Sequence, residues 1–91
     1  MATLMELRGE LDRIDAQLVS LLEERMETAA AVGALKKAQG LAVLDPRREA
    51  QVLASRRALL RDPRWAAACD ALFETLMAQS RAAQEEVGAD A

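Results

Sequence analysis

Histidine and tyrosine are absent from this 91-residue chain, and cysteine occurs once, as Cys69. With no imidazole to activate that thiol, a Cys–His nucleophile is excluded. A zinc site built from cysteine and histidine is excluded with it. One cysteine forms no internal disulfide, which agrees with a reducing, cytoplasmic compartment. The four glycines do not gather into a phosphate-binding loop. No basic leader and no long apolar run opens the chain, so neither a signal peptide nor a membrane span is expected. A net charge of −3, from 12 basic and 15 acidic residues, offers no nucleic-acid surface. An enzyme made from this chain must work with arginine, lysine, carboxylates, serine and glutamine. The sequence calls for no metal and no cofactor.

What is present is helical. The positions Leu4, Leu7, Leu11, Ile14, Leu18, Leu21, Arg25, Thr28, Val32, Leu35 and Gln39 alternate spacings of three and four, so they share one helix face. Gly40 supplies a C-cap. A short apolar link, Leu41 to Leu44, leads to "DPRRE", where Asp45 caps a second helix and Pro46 occupies its first position. That helix is expected to run to about Arg61, with Val52, Leu53, Leu59 and Leu60 as its apolar positions. A second "DPR", at Asp62 to Arg64, starts a third helix running to about Val87. Its stripe is Trp65, Cys69, Leu72, Phe73, Leu76 and Met77, continued by Ser80 and Gln84. The tail "GADA" is expected to fray. No segment has the alternation of a strand. The chain reads as one all-α domain, residues 1–91, with one long and two shorter helices.

The first helix is too long for a one-chain globule. Its 36 residues span about 54 Å, whereas a compact chain of this length has a diameter near 30 Å, from a radius of gyration of about 12 Å. A second chain is expected to cover the overhanging apolar face. The arrangement implied is an intertwined homodimer with two-fold symmetry.

Polar residues interrupt the stripes. Arg25 takes an aliphatic position. Lys36 lies eleven residues on, three turns later and at nearly the same azimuth. Ser80 and Gln84 are one turn apart on the third helix. Arg48 and Arg47 put positive charge into the first turn of the second helix, where the helix dipole disfavours it. Each has a plain explanation when taken singly. Arg25 could pair with Glu24 or Asp70 across the dimer interface, Lys36 could complement a helix C-terminus, Ser80 and Gln84 could mark the stripe running into solvent, and Arg47 reads as a solvated side chain. Taken together, Arg25, Lys36, Arg48, Ser80 and Gln84 suggest one cationic cavity. Its ligand would be a small polyanion, most naturally a dicarboxylate.

The segments "ELRGELDRIDAQLVSLLEER", "VGALKKAQG", "VLDPRREAQVL" and "SRAAQ", in this order and at these spacings, resemble the small all-helical chorismate mutases. The resemblance covers nearly the whole chain. It implies the rearrangement of chorismate to prephenate, the branch step toward phenylalanine and tyrosine. It also implies roles position by position. Arg8 resembles the arginine that crosses from the partner chain to a substrate carboxylate, and Arg25 the main carboxylate-binding arginine. Lys36 and Gln84 resemble the two donors to the ether oxygen. Asp45, through its backbone, and Glu49 resemble the groups that hold the ring hydroxyl. Arg48 resembles the arginine beside that glutamate, expected here to keep Glu49 ionised, and Ser80 resembles a further carboxylate contact. Two other readings stand beside this one. A lyase that splits pyruvate from isochorismate shares the fold, and a helical dimerisation or regulatory module would need no catalysis.

Overall fold

The computed structural model describes residues 1–89. Three α-helices account for nearly all of them: α1 (Leu4–Gln39), α2 (Pro46–Arg57) and α3 (Ala66–Ala89), with one 3₁₀ turn at Pro63–Trp65. The described residues contain no strand. No helix among them is long and apolar enough to cross a membrane.

Local chemistry fixes the helix ends. Thr3 caps α1, its Oγ1 accepting the Glu6 amide at 3.1 Å. At the other end Gly40 takes a left-handed φ of 69°, a conformation that favours glycine. There the amides of Gly40 and Leu41 close onto the carbonyls of Lys37 and Lys36. Asp45 caps α2, accepting the Arg48 amide at 3.0 Å, with Pro46 at the first helical position. α2 stops one turn earlier than the sequence suggests, at Arg57 rather than Arg61. Leu59 and Leu60 donate to carbonyls only three residues back, at 3.0 and 3.1 Å. This tightening is typical of a last helical turn, and the Asp62–Pro63 start follows at once. Leu59 is accordingly 80% exposed instead of facing a core. α3 continues two residues beyond Val87. The tail expected to fray overlaps this last turn, and Asp90 and Ala91 lie outside the described residues.

α3 packs on both α1 and α2, whereas α1 and α2 do not pack on each other. A cleft therefore lies between α1 and α2 with α3 as its floor. Close approach of α1 and α3 depends on Gly33. A Cβ built there would stand 2.6 Å from the Gln84 Cα and 2.8 Å from its carbonyl oxygen.

The chain is long and thin, 56 × 26 × 14 Å, with a radius of gyration of 16.4 Å, against about 12 Å for a compact chain of this length. Among the described residues, few apolar side chains are buried: Ala29, Val52 and Met77. Along the N-terminal half of α1, the stripe residues Leu4, Leu7, Leu11, Ile14, Leu18 and Leu21 are 41–63% exposed. Fully burying one leucine stabilises by roughly 1.5–3 kcal/mol. Covering that stripe is the largest hydrophobic gain this chain leaves unmade.

Candidate active site

The cleft forms a cavity of about 330 Å³, within the size range of small-ligand sites. Each helix contributes one face. From α1 come Arg25, Ala29, Val32 and Lys36, spaced four, three and four residues apart. Asp45 and the α2 residues Arg48, Glu49, Val52 and Arg56 form the opposite wall, and Met77, Ser80, Arg81 and Gln84 of α3 form the floor. Of the residues singled out in the sequence, Arg25, Lys36, Asp45, Arg48, Glu49, Ser80 and Gln84 all meet here. Arg8 does not line the cavity. It lies seventeen residues from Arg25, about 25 Å along the same helix.

Five cationic side chains and two carboxylates line the cavity, a surplus of three positive charges in a chain whose net charge is −3. Such a pocket selects an anion.

Arg25 is half-buried and has no carboxylate partner among the described residues. Its Nη1 donates to the Ser80 hydroxyl and, at 3.3 Å, to the Leu76 carbonyl. The Ser80 hydroxyl donates to the same carbonyl at 2.7 Å. Within the chain Arg25 pairs with neither Glu24 nor Asp70. Asp70 instead binds Arg57, whose guanidinium it holds above the usual arginine range. Burial, and then the nearby charge of Arg56, push the Arg25 pKa down. The guanidinium stays charged but under-compensated, which primes it for an incoming carboxylate.

Lys36 donates from Nζ to the Val43 carbonyl at 2.7 Å, which ties the end of α1 to the link before α2. The Asp45 carbonyl accepts the Glu49 amide at 3.0 Å, so that carbonyl is already engaged within α2. Arg48 departs from the sequence reading. Its guanidinium reaches Gln51 Oε1 at 3.0 Å, one turn along α2, and does not engage Glu49. Glu49 is instead ion-paired with Arg81 across the cleft floor, Nη1 to Oε2 at 2.5 Å. The adjacent position in sequence was a poor guide here, because consecutive residues on a helix point about 100° apart.

Gln84 is 9% exposed, and its Oε1 is buried with no hydrogen-bond partner. A buried acceptor left unpaired costs free energy, and what this oxygen lacks is a hydrogen-bond donor. Lys36 sits one turn along α1 from Gly33, which touches Gln84. Lys36 and Gln84 therefore stand on facing helices, both lining the cavity.

Arg56 and Arg81 are cavity residues that the sequence reading missed. Arg56 lies four residues beyond Val52 and eight beyond Arg48, so helical periodicity places it on their face. Its guanidinium donates to Ser55 Oγ at 2.9 Å and lies 6.0 Å from the Phe73 ring centroid. Arg81 follows Ser80 directly, off the apolar stripe, and no periodic signal marks it. A second cleft, of about 390 Å³, lies between Leu59, Leu60, Trp65 and Leu72. It is almost wholly apolar, with Arg56 as its lone charged lining residue.

Comparison with known proteins places this geometry in context. Residues 7–85 match the family model described as chorismate mutase type II. The chain is 46% identical over 56 residues to the T-protein of Enterobacter agglomerans, a match covering 62% of this chain and 15% of that protein. It is 40% identical over 52 residues to the bifunctional chorismate mutase/prephenate dehydratase of Aquifex aeolicus, covering 57% of this chain and 14% of that protein. The match thus spans only about one-seventh of the length of these relatives. A solved structure of a conserved hypothetical protein from Pyrococcus furiosus superposes with a TM-score of 0.74 at 37% identity, covering 92% of this chain and 97% of that one.

Proposed function

From the membership of this chain in the chorismate mutase type II family, we propose that residues 1–91 form one catalytic domain that rearranges chorismate to prephenate. The observation that carries the reading is the cavity's surplus of three positive charges, with the Gln84 side chain among its lining. A dianionic substrate supplies the missing negative charge, and its ether oxygen accepts from the Gln84 Nε2 amide hydrogens.

The reaction is a [3,3] rearrangement. One C–O bond breaks as one C–C bond forms, within a single molecule. It needs no nucleophile, no proton relay and no metal. Two things limit it in water. The substrate must fold into a compact conformer, and negative charge builds on the ether oxygen as its bond to carbon breaks. Arginines that grip the carboxylates address the first as an entropy trap. Arg25 is the carboxylate ligand in this chain, with Ser80 bridging it to α3. Lys36 and Gln84 address the second, as donors fixed in place before the charge develops. The Asp45 amide and Glu49 hold the ring hydroxyl, and Arg48 flanks the same wall.

The magnitudes suffice. Even a 10⁶-fold acceleration requires a barrier lowered by only about 8 kcal/mol. A single well-placed donor supplies roughly 3 kcal/mol. Two donors and selection of the reactive conformer reach that figure without covalent chemistry.

The assembly proposed is a homodimer in which the exposed leucine stripe of each α1 packs against its partner. An antiparallel pairing brings Arg8 of one chain to the cavity of the other, which Arg8 cannot reach within its own chain. The proposed setting is the cytoplasm, where aromatic amino acids are made. The test is an ultraviolet assay of chorismate loss with acid-converted prephenate measured in parallel, and isochorismate as the second substrate. Prephenate formation supports the proposal. Pyruvate release from isochorismate alone would replace it with the lyase, and no turnover of either substrate would replace it with a non-catalytic module.

A further inference from the structure

Arg81 has no part in the chemistry described above, yet it makes a short ion pair across the cavity floor. It stands on α3, directly after Ser80, and its Nη1 reaches Glu49 Oε2 on α2 at 2.5 Å. Both side chains are about 30% exposed or less, and both line the cavity. Among the described residues the Glu49 carboxylate has no other hydrogen-bond partner: Arg48 is turned to Gln51, and α1 does not pack on α2. A glutamate has three rotatable bonds, so an unheld carboxylate samples several rotamers. The Arg81 guanidinium anchors the carboxylate by a charge-assisted bond, which narrows its rotamers. It occupies Oε2 and leaves Oε1 available as an acceptor.

Resting on the mutase reading, we infer that Arg81 is a positioning residue: it holds the Glu49 carboxylate in the one orientation that accepts the substrate's ring hydroxyl. Arg81 acts through Glu49 and touches no reacting atom. Its effect is therefore confined to substrates that carry the hydroxyl. It falls on KM more than on kcat, since the hydroxyl contact is present in ground state and transition state alike.

The test compares the parent with Arg81→Met, Arg81→Lys and Glu49→Gln, each on chorismate and on a chorismate analogue lacking the ring hydroxyl. Arg81→Met should lower kcat/KM for chorismate about tenfold, chiefly through KM, and should have almost no effect on the analogue. Arg81→Lys should recover part of the loss. In a Glu49→Gln background, Arg81→Met should add little. An equal penalty on both substrates, or additive losses in the double variant, would overturn the inference. A second measurement does not depend on turnover. In crystals of the unliganded proteins, Glu49 should occupy one rotamer in the parent and several in Arg81→Met. A single unchanged rotamer in the variant overturns the inference even if chorismate is not the substrate, whereas an inactive parent overturns the mutase reading instead.

Discussion

Gly33 and Gln84 touch backbone to backbone. A methyl group at position 33 would stand 2.6 Å from the Gln84 Cα, closer than any real Cβ contact. The distance between α1 and α3 at the cavity is therefore set by the absence of one side chain. Gly33→Ala tests this. Alanine favours the helix by about 1 kcal/mol, but the clash is with main chain that cannot rotate aside, and overpacking costs typically 1–3 kcal/mol. The clash should win. The expected result is a melting temperature lowered by several degrees and a fall in kcat larger than the change in KM, because Gln84 is carried away from Lys36. A raised melting temperature with normal turnover would show that the contact is not fixed.

Arg25 should reveal a conflict between stability and function. Its pKa is lowered by burial and then by Arg56. For a base lowered on folding, the charged form is the one the fold disfavours. That cost is fully present below the folded pKa and is relieved only as pH rises through it, far above neutrality. Arg25→Met removes the charge and keeps the apolar stem. Turnover should fall about a hundredfold or more. The melting temperature should hold or rise, by the same amount across the neutral range. Ser80 keeps its own bond to Leu76, so no buried hydroxyl is orphaned. A clear loss of stability would assign Arg25 to the scaffold.

Lys36 joins two jobs. It is the donor proposed for the ether oxygen, and it fastens Val43 at 2.7 Å. Lys36→Ala removes both. The hydrogen bond to Val43 is worth about 1 kcal/mol, which lowers the melting temperature of a chain this size by roughly 4–8 °C. The electrostatic contribution is far larger, about 10²–10³ in kcat. Circular dichroism melts and kcat per folded chain separate the two. If only stability changes, Lys36 is structural.

Mixing variants tests the shared site. Arg8→Ala and Arg25→Ala chains should each be nearly inactive. After subunit exchange, half the dimers are mixed, and each mixed dimer holds one intact site of two. About a quarter of the parent activity should return. No recovery, with exchange demonstrated by mass spectrometry, removes Arg8 from the site.

How much of this was legible before the structure depended on the kind of signal. α1 was readable to its last residue, because a three–four repeat runs from Leu4 to Gln39 and Gly40 closes it with a positive φ. Arg25, Lys36, Arg48, Ser80 and Gln84 could be collected because each sets a polar group on an apolar face or a positive charge at a helix start, whereas Asp45 and Glu49 came only with the family resemblance. The end of α2 was not legible. Leu59 and Leu60 look like core, and only the 3₁₀ bonds ahead of Pro63 show that the helix has already stopped. The partner of Glu49 was also hidden. Arg81 is 32 residues away on another helix, and no local pattern encodes which of two arginines a carboxylate will choose.

The last prediction uses the unpaired amide of Gln84. An amide donates at any ordinary pH because it does not titrate. In Gln84→Glu the shape is nearly kept, but an ionised carboxylate only accepts. It would repel the charge that develops on the ether oxygen. Only the protonated carboxyl donates, and an exposed glutamate is mostly ionised above about pH 4.3. Two opposing effects act on the introduced group. Its site is 9% exposed, which favours the neutral form, while Lys36 and Arg25 in the same cavity favour the charged one. In either balance the active form is the protonated one, so activity must grow as pH falls. The variant should be weak near neutrality and gain kcat/KM toward acid, where the parent, lacking any histidine, stays comparatively flat. The measurement is kcat/KM against pH for both proteins over the range in which each remains folded. Parallel profiles would show that Gln84 does not face the ether oxygen, and its buried amide would then need another explanation.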